Sequence, residues 1–194
     1  MTKEKVSTFS FFMIKYLIMK DLVLEFDVSE KSIIDSAEIV KEFVSFLEEM
    51  KMYYYFPFSE NADTDTIRTQ IKKDSETFKY LEAEDGIKRS WEKYAPAIIP
   101  KLSSLTNNAR LNRYRCVLTF YGPYGYYYTP DTIYINVTKC SPDEWIETLL
   151  HEMLHLILAE QIAGLEHLDE ERLIDKTFVD LFGDIFPNYQ VQKI

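Results

Sequence analysis

The sequence predicts an α+β fold in which helices pack against a small β-sheet. Short segments with alternating apolar and polar residues predict strands, and longer segments with apolar residues every three or four positions predict amphipathic helices. The chain has 194 residues, and its 46% apolar content is enough for a substantial core. No internal repeat or low-complexity linker divides it, so we expect a single domain over residues 1–194.

The first two elements are a strand and a long helix. Segment 21–28, DLVLEFDV, alternates apolar and polar residues and therefore predicts a strand. Ser29 is a natural N-cap, and apolar residues then recur at helical spacing as far as Met50.

Residues 51–110 are the least regular part of the sequence. Helical spacing is visible over about 64–82 and 86–95. Pro96 and Pro100 follow, and because proline removes a backbone donor and clashes with the preceding turn, we expect the helix to be interrupted there.

Two further strands are predicted at 115–122, RCVLTFYG, and at 131–137, DTIYINV. The segment between them, PYGYYYTP at 123–130, is rich in Pro, Gly and Tyr and predicts a loop. In the later strand, β-branched residues occupy one face and Tyr and Asn the other. This alternation predicts a half-exposed strand near a sheet edge.

The C-terminal part contains two predicted helices. Ser141 as N-cap, Pro142 at the first helical position and Glu144 in a capping box mark the start of the first helix. We expect it to run to about residue 163, because Gly164 supplies a stop signal. The second helix covers about 168–182.

The first of these helices contains the segment LLHEMLHLIL at 149–158. Its polar residues His151, Glu152 and His155 interrupt an otherwise apolar run. They could form the solvated face of an ordinary helix. However, the same stripe is bordered by large apolar residues such as Trp145, which are poor surface residues. We therefore expect the stripe to line a cleft beneath a second layer of protein.

Histidines four positions apart on one helical face can direct both imidazoles at a single ion. His151 and His155 have this spacing, which suits zinc with its bonds of about 2 Å to imidazole nitrogen. Glu152 projects to the flank, where it can reach a water molecule beside the ion but not the ion. The pattern predicts two zinc ligands and a general base.

Zinc in a catalytic site needs a third protein ligand. Glu171 lies on an otherwise apolar face of the next predicted helix, where a buried carboxylate needs a partner. Asp175, one turn later, could accept the spare N–H of a ligating histidine. Glu170 and His167 are neighbours of Glu171 and remain alternatives for the third ligand.

These motifs resemble those of a known enzyme family. HEMLH at 151–155 followed by ERLID at 171–175 resembles the HExxH and ExxxD pair of the gluzincin branch of the zincin metallopeptidases. The short spacing between the motifs and the small chain are similar to the minimal single-domain forms called minigluzincins. A metzincin would require Gly at position 158 and His at 161, where this chain has Leu158 and Gln161.

The resemblance implies a hydrolase that cleaves peptide bonds with one Zn²⁺ per chain. His151, His155 and Glu171 would bind the metal, Glu152 would act as general base toward the water that zinc activates, and Asp175 would support a ligating histidine. The partner of such a metalloprotease is a peptide or protein substrate. The alternative is a latent or inactive zincin-like module that binds metal and has a regulatory role.

The resemblance also implies a zincin-like fold, with a small mixed sheet, a backing helix, an active-site helix and a glutamate helix. Segment 131–137 would be the edge strand that pairs with an extended substrate. The tyrosines at 126–128 are candidates for stabilising an oxyanion, without an assigned role. Residues 51–110 match nothing in this pattern and are interpreted as an insertion.

Composition excludes other classes of function. A formal net charge of −10 argues against nucleic-acid binding, which needs clustered Lys and Arg. The apolar segment 9–19 contains Lys15, is too short to span a bilayer and precedes no cleavage site, so we expect no membrane segment and a cytoplasmic location. Cys116 and Cys140 form no CxxC pair and are expected to be buried thiols.

Overall fold

A computed structural model gives the fold of residues 22–59, 61–77, 80–105, 113–138 and 140–191. The apolar segment 9–19 lies outside the described residues. Within them, no helix combines the length and the apolar character that crossing a membrane requires. Cys116 and Cys140 are both free thiols, of which the first is buried and the second is partly exposed.

The described residues form a four-stranded sheet. The strands are β1 at Val23–Asp27, β2 at Arg113–Thr119, β3 at Gly125–Tyr128 and β4 at Thr132–Asn136. Their order across the sheet is β1–β2–β4–β3. β2 pairs in parallel with β1 and with β4, whereas β3 is antiparallel to β4. The prediction of an α+β fold with a small mixed sheet is confirmed, and each of the three predicted strands is present.

Two predictions for the end of the sheet are wrong. β3 lies within 123–130, which the sequence predicted to be a loop, and it is β3 that forms the edge of the sheet next to β4. β4 is internal, and its residues Tyr134 and Asn136 are buried as well as its isoleucines. The physical reason is aromatic pairing, because Tyr126 of β3 stacks on Tyr134 of β4 with ring centroids 4.5 Å apart.

Six helices surround the sheet in the described part of the chain. They are α1 at Glu30–Glu49, α2 at Thr64–Thr77, α3 at Tyr80–Leu105, α4 at Pro142–Ile157, α5 at Ala159–Ile162 and α6 at His167–Phe182. The predicted N-cap Ser29 accepts a hydrogen bond from the backbone N–H of Ser32. Ser141 forms the predicted capping box with Glu144 at the start of α4. α4 ends earlier than predicted, and α5 and the positive φ of Gly164 follow it.

The predicted interruption at Pro96 and Pro100 is wrong, because α3 continues through both residues to Leu105. The two prolines are four positions apart and both side chains are exposed. The carbonyl groups that lose their helical partners therefore lie on the side facing water. On the opposite side Ile98 and Leu102 are buried, and this packing holds the helix together.

α1 and α4 cover opposite faces of the sheet. Ser36 of α1 makes 2.8 Å hydrogen bonds with the hydroxyls of Thr119 in β2 and Tyr126 in β3. Successive strand residues point to opposite faces, and Gly125 faces Thr148 of α4. α2 packs against α1, whereas α3 and α6 pack against α4. The sheet therefore supports α4 from one side, while α3 and α6 flank it.

The beginning of α4 is held against α3 by one carboxylate. Asp143 accepts hydrogen bonds from the hydroxyls of Ser90 and Tyr94, at 2.8 and 2.9 Å, and from the ammonium group of Lys93 at 3.0 Å. Three bonds from one helix to the first turn of the next define where α4 starts along α3. This contact fixes the position of the helix that carries the HExxH residues.

Candidate metal centre

α4 carries three polar residues into the protein interior. His151, Glu152 and His155 are only 4%, 6% and 2% exposed, although each side chain is polar. Helical geometry places residues four apart on one face, so both imidazoles point in the same direction. The expectation that this stripe lies beneath a second layer of protein is confirmed.

α6 supplies that layer and a third donor. It packs against α4, and its residue Glu171 is 6% exposed. The carboxylate oxygen Oε2 of Glu171 lies 3.1 Å from Nε2 of His151, and Oε1 lies 3.5 Å from Nε2 of His155. The two Nε2 atoms are 3.2 Å apart. Three potential ligand atoms therefore converge on one point, and this buried group could hold a metal ion.

The spacing of the donor atoms fits a small tetrahedral ion. With ligand bonds of about 2.0–2.1 Å, two ligand atoms of a tetrahedral zinc site lie roughly 3.3–3.4 Å apart. The separations between His151, His155 and Glu171, from 3.1 to 3.5 Å, scatter around that value. The residues present therefore fit the metal that the sequence motif implies.

The other ring nitrogen of His151 is engaged by a tyrosine. Nδ1 of His151 lies 2.7 Å from the hydroxyl of Tyr189, and this hydroxyl donates a 2.6 Å hydrogen bond to Asp175. Since the single hydroxyl proton is given to the carboxylate, the hydroxyl accepts from His151, whose Nδ1 therefore carries the proton. When the ring is neutral, Nε2 therefore has the lone pair, and it faces His155 and Glu171.

His155 is oriented in the same way by a different carboxylate. Its Nδ1 lies 2.9 Å from Oε1 of Glu170, and an ionised carboxylate only accepts hydrogen bonds, so Nδ1 is the donor. Tyr127 of β3 donates a 3.1 Å hydrogen bond to the same oxygen and stacks on the His155 ring at a centroid distance of 4.8 Å. The Nε2 lone pair of His155 consequently also points toward the centre.

This arrangement calls for positive charge between the donors. Two lone pairs and a carboxylate face one another at short distance, which is repulsive unless a proton or a metal ion lies between them. Burial raises the pKa of Glu171, but hydrogen bonds from His151 and His155 outweigh burial and lower it to about 2. These bonds need a proton on Nε2, which a metal ion would replace. Burial lowers the pKa of His155, yet Glu171 and neighbouring carboxylates outweigh it and raise that pKa. Protons and a metal ion would compete for the same position.

Glu152 is buried next to the backbone of β3. Burial raises its pKa above the usual range for a glutamate, against the opposing effect of His151 and His155. The backbone of β3 passes directly over it: a Cβ added to Gly125 would lie 3.0 Å from Oε1 of Glu152 and would overlap the methyl group of Thr148. The strand and this carboxylate can therefore approach closely only because residue 125 is a glycine.

The three candidates for the third ligand occupy different positions. Glu171 shares the converging group with the two histidines, whereas Glu170 contacts the ring nitrogen of His155 that points away from it. His167 is one turn before Glu171, with its Nδ1 3.7 Å from Oε1 of that residue. The His167 ring lies against Phe46 of α1, and its Nε2 has no hydrogen-bond partner among the described residues.

Asp175 lies near His151, as the sequence predicted, but a tyrosine intervenes. The direct distance from Nδ1 of His151 to Oδ1 of Asp175 is 3.6 Å, which is longer than a hydrogen bond. Tyr189 was not anticipated, because it follows the last predicted helix in a segment without periodicity. Glu170 was anticipated only as a rival ligand and not as a partner of His155.

Comparisons with known proteins leave the family open. No protein-family model matches this chain, and neither the curated proteins nor the solved structures give a significant match. The resemblance to the gluzincins therefore rests on the HExxH and ExxxD motifs alone.

Proposed function

We propose that this protein is a zinc-dependent peptidase of the gluzincin type. The observation that carries the proposal is the convergence of Nε2 of His151, Nε2 of His155 and the carboxylate of Glu171 within hydrogen-bonding distance of one another. Both imidazoles are held by partners on their other nitrogen, which is the usual arrangement for histidines that bind a metal.

The donor set favours zinc among the common metals. Two imidazole nitrogens and one carboxylate suit this ion, and three protein ligands are the number typical of catalytic rather than structural zinc sites. When bound, zinc supplies Lewis acidity, which brings the pKa of a water molecule toward neutrality and polarises a carbonyl group. One ion per chain would be held by His151, His155 and Glu171.

Glu152 would perform the proton transfers of peptide hydrolysis. It lies beside both histidines, and its raised pKa suits a group that alternately accepts and releases a proton. It takes a proton from the attacking water as the C–O bond forms, and it delivers that proton to the amide nitrogen as the C–N bond breaks. The products are a carboxylic acid and an amine, so atoms and charges balance.

An extended substrate would bind at the edge of the sheet. In the described residues β3 pairs with β4 on one side, and its backbone lies against Glu152. We therefore assign to Gly125–Tyr128 the substrate-pairing role that the resemblance gave to segment 131–137. Tyr127 also brings β3 into contact with the ring of His155.

A latent or regulatory metal-binding module is the second candidate. It is favoured by the burial of the site, because His151, Glu152, His155 and Glu171 are each at most 6% exposed. A substrate would need β3 and α6 to leave room above these residues. Stoichiometric zinc without peptide cleavage would support this alternative.

Metal content tests the centre itself. Protein purified without chelator and analysed by plasma mass spectrometry should contain about one zinc per chain. Glu171→Ala should lose the metal. Glu170→Ala removes a carboxylate outside the converging group and the partner of Nδ1 of His155, so it should bind zinc more weakly but still take up one ion per chain when zinc is in excess. A wild-type protein without metal after zinc is added back would overturn the proposal.

Cleavage of a peptide mixture, followed by mass spectrometry, tests the chemistry. Wild-type protein with zinc should generate new peptide termini, and Glu152→Gln should generate none while keeping its zinc, because the amide has nearly the same shape but cannot accept the proton. Equal cleavage by both proteins would show that Glu152 is not the base or that a contaminant is active.

A further inference from the structure

The C-terminal segment after α6 contributes an unexpected residue to the candidate centre. Tyr189 places its hydroxyl 2.7 Å from Nδ1 of His151 and 2.6 Å from Oδ1 of Asp175. The histidine and the carboxylate are themselves 3.6 Å apart. The phenol therefore bridges the two residues with one hydrogen bond on each side.

Aromatic packing brings Tyr189 to this position. Phe186 is 4% exposed and packs against Tyr94 of α3 and Phe178 of α6, with ring centroids 4.9 and 6.0 Å away. The Tyr189 ring stacks on Phe178 at 3.8 Å, and its backbone N–H donates to the carbonyl of Phe186. Segment 183–191 is thus anchored on two helices before it reaches His151.

We propose that Tyr189 is a positioning residue of the metal centre. Its hydroxyl accepts a hydrogen bond from the Nδ1–H of His151 and donates one to Asp175. These two bonds fix the orientation of the ring, so that Nε2 of His151 points toward His155 and Glu171. Metal affinity consequently depends on docking of the C-terminal segment. The inference rests on the proposed function only for the identity of the bound ion. The position of the proton on His151 can be measured in metal-free protein and does not depend on that function.

Tyr189→Phe separates this role from simple packing. The variant keeps the ring that stacks on Phe178 and removes only the hydroxyl. Tyr121→Phe is a matched control, because the buried Tyr121 hydroxyl also donates to a carboxylate, that of Asp74 at 2.9 Å, but within the α1–α2 layer and away from the histidines. Both variants lose one tyrosine–aspartate hydrogen bond.

Imidazole ¹⁵N NMR on metal-free protein reads the tautomer directly. The chain has three histidines, so histidine-selective labelling gives few signals. In wild-type protein, Nδ1 of His151 and Nδ1 of His155 should both carry a proton, because each donates to the oxygen beside it. In Tyr189→Phe, His151 should lose this preference while His155, held by Glu170, keeps it as an internal control.

Zinc competition with a chromophoric chelator gives the second readout. The dissociation constant should rise about 10- to 100-fold in Tyr189→Phe and stay near the wild-type value in Tyr121→Phe. A role in packing alone would lower the unfolding temperature of both variants and leave both affinities unchanged. The proposal is wrong if His151 keeps its tautomer in Tyr189→Phe, or if the affinity of that variant stays within about twofold of wild type.

Failure of the peptidase proposal can be distinguished from failure of the Tyr189 proposal. A protein that binds zinc but cleaves no peptide would leave both readouts for Tyr189 intact. A wild-type protein that binds no zinc would remove the affinity measurement, and the NMR measurement on metal-free protein would still decide whether the hydroxyl sets the tautomer of His151.

Discussion

At residue 125, the absence of a side chain allows a strand to lie against the proposed general base. A methyl group there would press on Glu152 and overlap the methyl group of Thr148. We expect Gly125→Ala to lower the free energy of unfolding by about 1–3 kcal/mol, the usual cost of overpacking, as measured by urea denaturation.

The control for this substitution is Gly86→Ala in α3. A Cβ at Gly86 would lie 3.2 Å from Cγ of Pro142, a milder contact, and alanine favours a helix over glycine by roughly 1 kcal/mol. This variant should be near neutral. If Gly125→Ala is equally neutral, β3 adjusts easily and the close approach to Glu152 does not depend on the glycine.

Protons should compete with zinc at the histidine pair. The pKa of His155 is raised, because Glu171 and nearby carboxylates outweigh the opposite effect of burial. A protonated ring cannot bind metal, so zinc affinity should fall as the pH drops through this raised pKa, at a higher pH than for an ordinary imidazole. Chelator competition at several pH values measures this fall.

Glu170→Gln provides the check on that pH dependence. Glu170 is one of the charges that raise the pKa of His155, and glutamine can still accept the Nδ1–H bond. The fall in zinc affinity should therefore move to lower pH in this variant. An unchanged midpoint would mean that Glu170 does not influence the proton on His155.

The residues of the centre could be predicted as far as spacing defines them. His151, Glu152 and His155 share one helix, and Glu171 follows at a spacing that the motif constrains. Tyr189 could not be predicted, because it is 38 positions from His151 and its approach depends on tertiary packing. Periodicity describes one element at a time and contains no information on such contacts.

At the scale of the element, the capping box determines where α4 begins. The Ser141 hydroxyl accepts from the backbone N–H of Glu144, and the Glu144 carboxylate accepts from the backbone N–H of Ser141 at 2.7 Å. Ser141→Ala should lower the free energy of unfolding by about 1 kcal/mol. Urea denaturation measures this, with the exposed Ser104→Ala in the last turn of α3 as a control expected to change stability by less than about 0.5 kcal/mol.

The zinc affinity of Ser141→Ala, measured by chelator competition, shows whether the cap also affects the metal centre. The cap is almost three turns before His151, and Asp143 separately fixes the start of α4 against α3. Metal affinity should therefore remain close to wild type. Equal stability of Ser141→Ala and wild type would show that Asp143 alone defines the start of the helix.

Elements with strong local signals were predicted well, and those that depend on neighbours were not. The caps at Ser29 and Ser141 identify helix starts through chemistry that acts within one turn. β3 was missed because three adjacent tyrosines do not alternate in polarity, and their strand conformation comes from pairing with β4. The strand order, which makes β3 rather than β4 the edge, is likewise a property of the whole sheet.

At the scale of the whole molecule, metal binding should stabilise the fold. The donors belong to α4 and α6, so an ion joins two helices that unfold together, and unfolding destroys the site. Zinc at about 100 times its dissociation constant should add roughly 2.7 kcal/mol, which for a chain of this size raises the unfolding temperature by about 5–10 °C. Differential scanning calorimetry with and without zinc measures this shift.

Glu171→Ala is the control for the temperature shift, because it removes one of the three donors. Its unfolding temperature should respond little to zinc. If wild-type protein binds one zinc without any rise in unfolding temperature, the unfolded chain binds the ion as tightly as the native one. That result would contradict the expectation that the hydrogen bonds orienting His151 and His155 in the fold favour metal binding.

The parallel pairing of β1 with β2 also has a consequence for folding kinetics. Val23 pairs with Arg113, whereas β3 and β4 pair across a short turn that joins Tyr128 to Thr132. Closing a long loop costs more entropy than closing a hairpin, so the β3–β4 hairpin and α4 are expected to form the nucleus, with β1 added late. Changes in β1 should then mainly accelerate unfolding, and changes in the hairpin should slow folding. The strand nearest the proposed catalytic residue would thus be among the first parts of the sheet to form.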